Sequence, residues 1–290
     1  MTQSLTKHIA NSIQHLLPYL RLMKNTTVCI LLYLVVLACT KDNTGTSINN
    51  QPETDPPVQK AVTVAVNANI GGYLEALPAR YDSTTKKYPL LLCLHGVGEL
   101  GNGDADLSKV AKNGTPTLIK NQKFPASFEV NGTSYSFIVL SPQFKNWPWP
   151  VDVNDMVNWA IAHYRVDTTR MYISGLSMGG GITWEYAAIY PGRIAAIAPI
   201  CGASAPSDGK AKSMADAHLP VWAFHNKNDS TVTYQYSTGY VEKLNAAGAD
   251  PAAILTLWPT GGHNAWTKAT DPNYKEGGKN IYEWMLQYHR

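Results

Sequence analysis

Apolar residues recur along this chain in two modes. Continuous runs such as Leu90-Leu91-Leu92-Cys93-Leu94 read as strands buried on both faces. Segments with apolar residues every third or fourth position, such as Val153, Met156, Val157, Ala160 and Ile161, read as helices with one face inward. The alternation over 62–66 predicts a strand that Gly71-Gly72 turns into a partner over 73–80, an antiparallel hairpin at one sheet edge. Strands are then expected at 88–94, 137–140, 171–173, 195–200, 220–224 and 253–258. Helices are expected at 107–120, 152–164, 182–189, 238–247 and 281–288, with Pro191-Gly192 and Gly248 as stops. Strands alternating with helices imply an α/β fold: a mostly parallel, twisted sheet with helices on both faces. The connection between Ile200 and Pro220 reads as short and polar, with no room for a helical lid.

The polar positions divide the chain. Residues 1–22 hold no acidic residue and little apolar pattern, and then Met23-Lys24-Asn25, an apolar run from Val28 to Ala38 and Cys39 follow. A basic start, a short apolar core and a small residue before the cut describe a secretory leader over 1–38, with the start of translation read at Met23. Val36-Leu37-Ala38-Cys39 also resembles a lipobox, which makes Cys39 the candidate for acylation and the protein an exported, lipid-anchored one. The apolar run is too short to span a bilayer. Residues 39–60 are rich in Asn, Thr, Asp, Pro and Gln and read as a tether, and 61–290 as one catalytic-sized domain.

Composition sharpens this picture in two places. The net charge of +3 comes from Lys7, Arg21 and Lys24, so the body is neutral, which argues against a nucleic-acid partner. Four cysteines, at 29, 39, 93 and 201, show no metal-ligand spacing, and only Cys93 and Cys201 fall in the body. No cofactor is called for.

Candidate chemistry centres on Met171-Tyr172-Ile173-Ser174-Gly175-Leu176-Ser177-Met178-Gly179, an apolar run, a glycine-flanked serine and a helix. Such a strand–turn–helix presents a nucleophilic hydroxyl at the helix start. A serine needs a base, and the base a carboxylate, each following a later strand. Asp229 follows the 220–224 run and His263 follows the 253–258 run, in that order. The developing oxyanion needs two donors, for which the Met178 and Val97 N–H groups are the candidates. His95 is read as a brace for the Val97 loop, and His225 as structural. Gln143, Trp147, Trp149 and Trp266 are candidate substrate contacts, since aromatic rings beside a polar side chain suit a sugar or hydroxycinnamoyl ring.

These residues carry a resemblance. The segments L-H-G-V-G-E-L-G-N (94–102), S-P-Q (141–143), V-D-T-T-R-M-Y-I-S-G-L-S-M-G-G (166–180), P-I-C-G (199–202), L-P-V-W-A-F-H-N-K-N-D (219–229) and G-G-H-N-A-W (261–266) resemble the α/β-hydrolases. More narrowly they resemble secreted bacterial esterases related to feruloyl esterases, acetylxylan esterases and polyhydroxybutyrate depolymerases. The chain departs from that pattern at Asn226, often glycine there, and at Leu100, often arginine. The resemblance implies an α/β-hydrolase sheet without a large lid domain and a Ser-His-Asp esterase of carbohydrate-linked feruloyl or acetyl esters. It also implies that the Cys93 and Cys201 strands flank the serine strand, about 9.6 Å apart and beyond disulfide reach. A serine peptidase or general acyl esterase on the same fold is the alternative, and a non-catalytic glycan-binding lipoprotein the rival from another class.

Overall fold

In β3 (Tyr88–Leu94) successive side chains alternate between two cores: Leu90, Leu92 and Leu94 pack into one, Leu91 and Cys93 into the other. A strand buried on both faces must lie inside a sheet covered on both sides, and the computed structural model, which describes residues 51–290, has that architecture. The strands are β1 (Val58–Val62), β2 (Ile70–Leu77), β3, β4 (Phe128–Val130), β5 (Thr133–Tyr135), β6 (Ile138–Phe144), β7 (Val166–Leu176), β8 (Ala196–Ile200), β9 (Trp222–Asn226) and β10 (Ile254–Trp258). Eight form one sheet in the order β1-β2-β6-β3-β7-β8-β9-β10, while β4 and β5 pair separately. In the large sheet only β2 runs against its neighbours.

The helices are α1 (Gly114–Lys120), α2 (Pro150–His163), α3 (Met178–Ile189), α4 (Asp208–Asp216), α5 (Gln235–Ala246), α6 (Trp266–Ala269) and α7 (Ile281–Met285). Side chains of α2, α3, α4 and α5 fill one core, and those of α1 and α7 the other. In α3 residues from Met178 through Trp184 are all buried, as befits a helix apolar on every side.

Several expectations are corrected. The hairpin exists, but its turn lies between Val62 and Ile70, where Asn67 Oδ1 accepts from the Asn69 and Ile70 N–H groups at 2.9 and 2.8 Å. Gly71 and Gly72 lie within β2, because a Cβ at Gly72 would meet Gly103 O at 2.0 Å. The helix expected at 107–120 is a 3-10 segment (Leu107–Lys112) that kinks into α1. The connection after Ile200 does contain a helix, α4, capped by Ser207 Oγ; it packs on α3 and α5 and so forms no lid. The tether ends before residue 60, since β1 pairs with β2 and Glu53 is buried against Arg80 and Tyr88. Cys93, on β3, and Cys201, just past the end of β8, are free thiols on either side of β7. The leader, Met23, Cys39 and tether residues 39–50 lie outside the described residues.

Candidate active site

Ser177 leaves β7 with φ 54° and ψ −116°, backbone that a non-glycine residue keeps only when its surroundings enforce it. Here its N–H donates to Ile200 O at 3.0 Å, and its carbonyl accepts from the Gly181 and Ala203 N–H groups at 2.9 and 3.0 Å. β7 and α3 approach so closely that a Cβ at Gly175 would lie 2.2 Å from Gly179 O, and one at Gly179 2.1 Å from Leu94 O. Both glycines around the serine are therefore steric necessities.

Asp229 follows β9 and His263 follows β10, so both side chains reach the carboxyl edge where Ser177 stands. Asp229 Oδ1 accepts from the Thr231 and Val232 N–H groups at 2.8 and 3.0 Å. Its Oδ2 lies 2.7 Å from His263 Nδ1, and His263 Nε2 lies 2.8 Å from Ser177 Oγ. Burial works to raise the Asp229 carboxyl, but hydrogen bonds from His263, Val232 and Thr231 outweigh it and hold the group below its ordinary range. An ionised Asp229 accepts a hydrogen bond from His263 Nδ1–H, which leaves Nε2 as an acceptor facing the serine hydroxyl. Asn226 braces this arrangement: its Nδ2 donates to Gly262 O at 2.9 Å and ties the end of β9 to the histidine loop.

The expected oxyanion donors flank Ser177. Met178 opens α3, and its N–H belongs to the first helical turn, where no intrahelical acceptor exists. The 96–97 loop lies against the serine, with a Cβ at Gly96 only 3.6 Å from Ser177 Cβ. Phe144 N–H donates to His95 Nε2 at 3.0 Å, so Nδ1 carries the proton and donates to Gly96 O at 2.7 Å. Gly96 O also accepts from Glu99 N–H at 3.2 Å. In a trans peptide the following N–H points opposite to that carbonyl, which turns the Val97 N–H away from the His95 ring. Burial lowers His95 to about 4 and keeps it neutral in this brace.

The remaining candidates separate. Trp266 is in the site, its ring edge-on to His263 with centroids 5.3 Å apart. Trp147 and Trp149 stand out from the loop after β6, 51% and 74% exposed. Gln143 is corrected: it is fully buried, accepting from Gly103 N–H and donating to Glu99 O and Asp106 O at 2.9, 2.9 and 3.0 Å. Its amide is spent on the loop and cannot contact a substrate. His225 is buried, with Nδ1 2.8 Å from Ser237 Oγ and Nε2 3.0 Å from Val232 O, and burial lowers its pKa. Leu100 packs against the main core. Sequence reasoning missed Glu99 and Asn113, which join the 96–99 loop to Trp266, because nothing in a polar stretch of sequence sets them apart.

Among the described residues, one group of side chains could offer a metal three ligands: Cys201, Asp229 and His263. It does not fit one, because Asp229 and His263 are bonded to each other and burial pushes the Cys201 thiol up to about 12.

Residues 148–287 match the Dienelactone hydrolase family. The bifunctional acetylxylan esterase/xylanase XynS20E of Neocallimastix patriciarum is 26% identical over 196 residues, 68% of this chain and 26% of that protein. This chain spans 53% of the length of a second curated relative. Among solved structures, a thermostable esterase superposes with a TM-score of 0.55 at 24% identity, covering 81% of this chain and 63% of that one. A mutant of the feruloyl esterase module from Clostridium thermocellum, complexed with sinapinate, superposes with a TM-score of 0.54 at 19% identity, covering 78% and 88%. The fold is that of the α/β-hydrolases, with no large lid among the described residues.

Proposed function

From a chain whose residues 148–287 match the Dienelactone hydrolase family, we propose a serine carboxylic-ester hydrolase that removes acetyl or feruloyl groups from carbohydrate. The observation that carries this reading is His263, with Nε2 2.8 Å from Ser177 Oγ and Nδ1 2.7 Å from Asp229 Oδ2. Ser177 Oγ attacks the ester carbonyl as its proton passes to His263 Nε2, and Asp229 stabilises the imidazolium. The oxyanion is met by the Met178 and Val97 N–H groups. Collapse expels the alcohol with the proton from His263, and water, activated by the same imidazole, then releases the acid.

The carbohydrate part rests on chemistry around the triad. Exposed indole faces at Trp147 and Trp149, on the carboxyl side of β6, and the half-buried Trp266 offer apolar surface suited to a sugar or hydroxycinnamoyl ring. The acetylxylan esterase and feruloyl esterase named among the relatives point the same way. The reading extends to export and a lipid anchor at Cys39, for which the Val36-Leu37-Ala38-Cys39 pattern is the support.

Turnover of para-nitrophenyl acetate, methyl ferulate and a peptide amide by wild type and Ser177→Ala tests the proposal. Ester hydrolysis by wild type and a loss of about 10⁴-fold or more in Ser177→Ala is expected. Cleavage of the amide alone would make the protein a peptidase, and no turnover of any of the three would leave a binding protein.

A further inference from the structure

Asn113 sits at the N-cap of α1 with extended backbone, φ −136° and ψ 158°. Asparagine at that position ordinarily accepts a hydrogen bond from the first helical turn. This one does not; its side chain makes no cap bond. Instead Nδ2 donates to Glu99 Oε1 at 2.7 Å, and Oδ1 accepts from Trp266 Nε1 at 3.1 Å. A residue that forgoes its local role for two long-range partners marks a site where something else is being held.

The partners belong to two different loops, the 97–99 turn and the segment after His263. Glu99 closes the 3-10 turn Val97–Glu99, is 6% exposed, and its own N–H donates to Gly96 O at 3.2 Å. Trp266 presents its edge to His263 at 89° between the ring planes. The amide is also fixed in direction, since Glu99 offers only acceptors and the indole only a donor, so a flipped Asn113 would satisfy neither.

We infer that Asn113 is a positioning residue that locks the oxyanion loop, through Glu99, to the wall of the general-base histidine, through Trp266. It touches neither substrate nor reacting atoms. Its effect is to hold the Val97 N–H and the His263 imidazole in register with Ser177, which matters only when charge develops on the substrate. Its loss therefore lowers kcat and leaves KM in place.

This inference rests on the Ser177–His263 reading, so wild type and Ser177→Ala are assayed alongside with para-nitrophenyl acetate; only if Ser177→Ala is inactive are the other variants informative about Asn113. Asn113→Asp keeps the acceptor for Trp266 but sets a carboxylate against Glu99, and should lower kcat about 10- to 100-fold with KM within about twofold. Adding Glu99→Gln restores a donor–acceptor pair in the reverse sense, with the glutamine amide donating to the new carboxylate at position 113. The double variant N113D/E99Q should regain kcat to within about fivefold of wild type, a coupling that independent losses of stability would not show. Trp266→Phe keeps an aromatic ring and removes the indole donor, and should lower kcat on para-nitrophenyl acetate about tenfold. Wild-type kcat in both N113D and W266F, or a double variant no better than N113D, would overturn the lock. If N113D does not fold, W266F with unchanged kcat overturns it alone.

Discussion

At the residue scale the decisive chemistry is how burial is offset. Asp229 is buried yet held ionised by three donors, whereas His95 is buried and held neutral. His95 carries a testable consequence for folding. Its pKa falls from the ordinary 6.5 to about 4, so between those values the unfolded chain binds the proton and the folded one does not. Stability from this group is full above pH 6.5 and is lost as pH falls toward 4, with a ceiling of about 3 kcal/mol set by the shift. His225, lowered in the same direction by burial, adds to the same slope. His95→Asn keeps a donor for Gly96 O but nothing that titrates. Urea unfolding across about pH 4–7 should show a shallower fall in unfolding free energy for the variant than for wild type; equal slopes would mean that His95 is free to protonate in the fold.

At the scale of elements, caps and turns decide where helices and hairpins end. Asn280 Oδ1 accepts from the Tyr282 and Glu283 N–H groups at 3.0 and 2.9 Å, and Glu283 Oε2 accepts from Asn280 N–H at 3.0 Å, a reciprocal box at the start of α7. Asn280→Ala should cost about 1–2 kcal/mol in urea unfolding, because this cap fixes the start of α7, whose side chains pack into the core. Buried strands such as β3 and β8 and periodic helices such as α2 were legible in the sequence because hydrophobic pattern alone specifies them. The β4–β5 hairpin was not, although Asn131 and Gly132, with φ 52° and 74°, are the residues a primed turn demands. Its strands are three residues each, too short to show a period. α4 was hidden for another reason: only Ala211, Met214 and Ala215 face inward, and the rest of the segment is polar. The serine, acid and histidine were legible because fold topology fixes their order along the chain, each at the carboxyl end of its strand. The misreading of Gln143 has an equally physical cause, since a glutamine in a motif looks the same whether its amide faces solvent or is consumed by backbone, as here.

For the whole molecule, the boundary of the folded unit is what sequence composition placed wrongly. The polar stretch before residue 61 contains Glu53, whose side chain is fully buried and lies 3.3 Å from Arg80 Nε and 3.9 Å from Lys86 Nζ. Glu53 Oε2 also accepts from the Arg80 N–H at 2.9 Å, and Tyr88 OH donates to Oε1 at 3.3 Å. Tyr88 opens β3, the strand that leads to the 96–97 loop beside Ser177, so this buried carboxylate clamps the amino end of a strand whose other end reaches the candidate site. Beside it β1 covers the outer edge of β2 over five paired residues, and without it β2 would present open N–H and C=O groups to other chains. Breaking a buried, hydrogen-bonded ion pair on one side costs about 3–5 kcal/mol. In a unit of this size each kcal/mol lowers Tm by about 2–4 °C. In a chain starting at residue 51, Glu53→Ala should therefore melt about 6–20 °C lower than its parent. A chain starting at residue 61 loses the clamp and the first three of the five β1 residues, and should melt lower still and aggregate through the partly bared β2 edge, as light scattering at fixed concentration would detect. Equal melting temperatures for chains starting at 51 and 61 would mean that the edge strand and its carboxylate contribute nothing, and that the polar stretch is a tether after all.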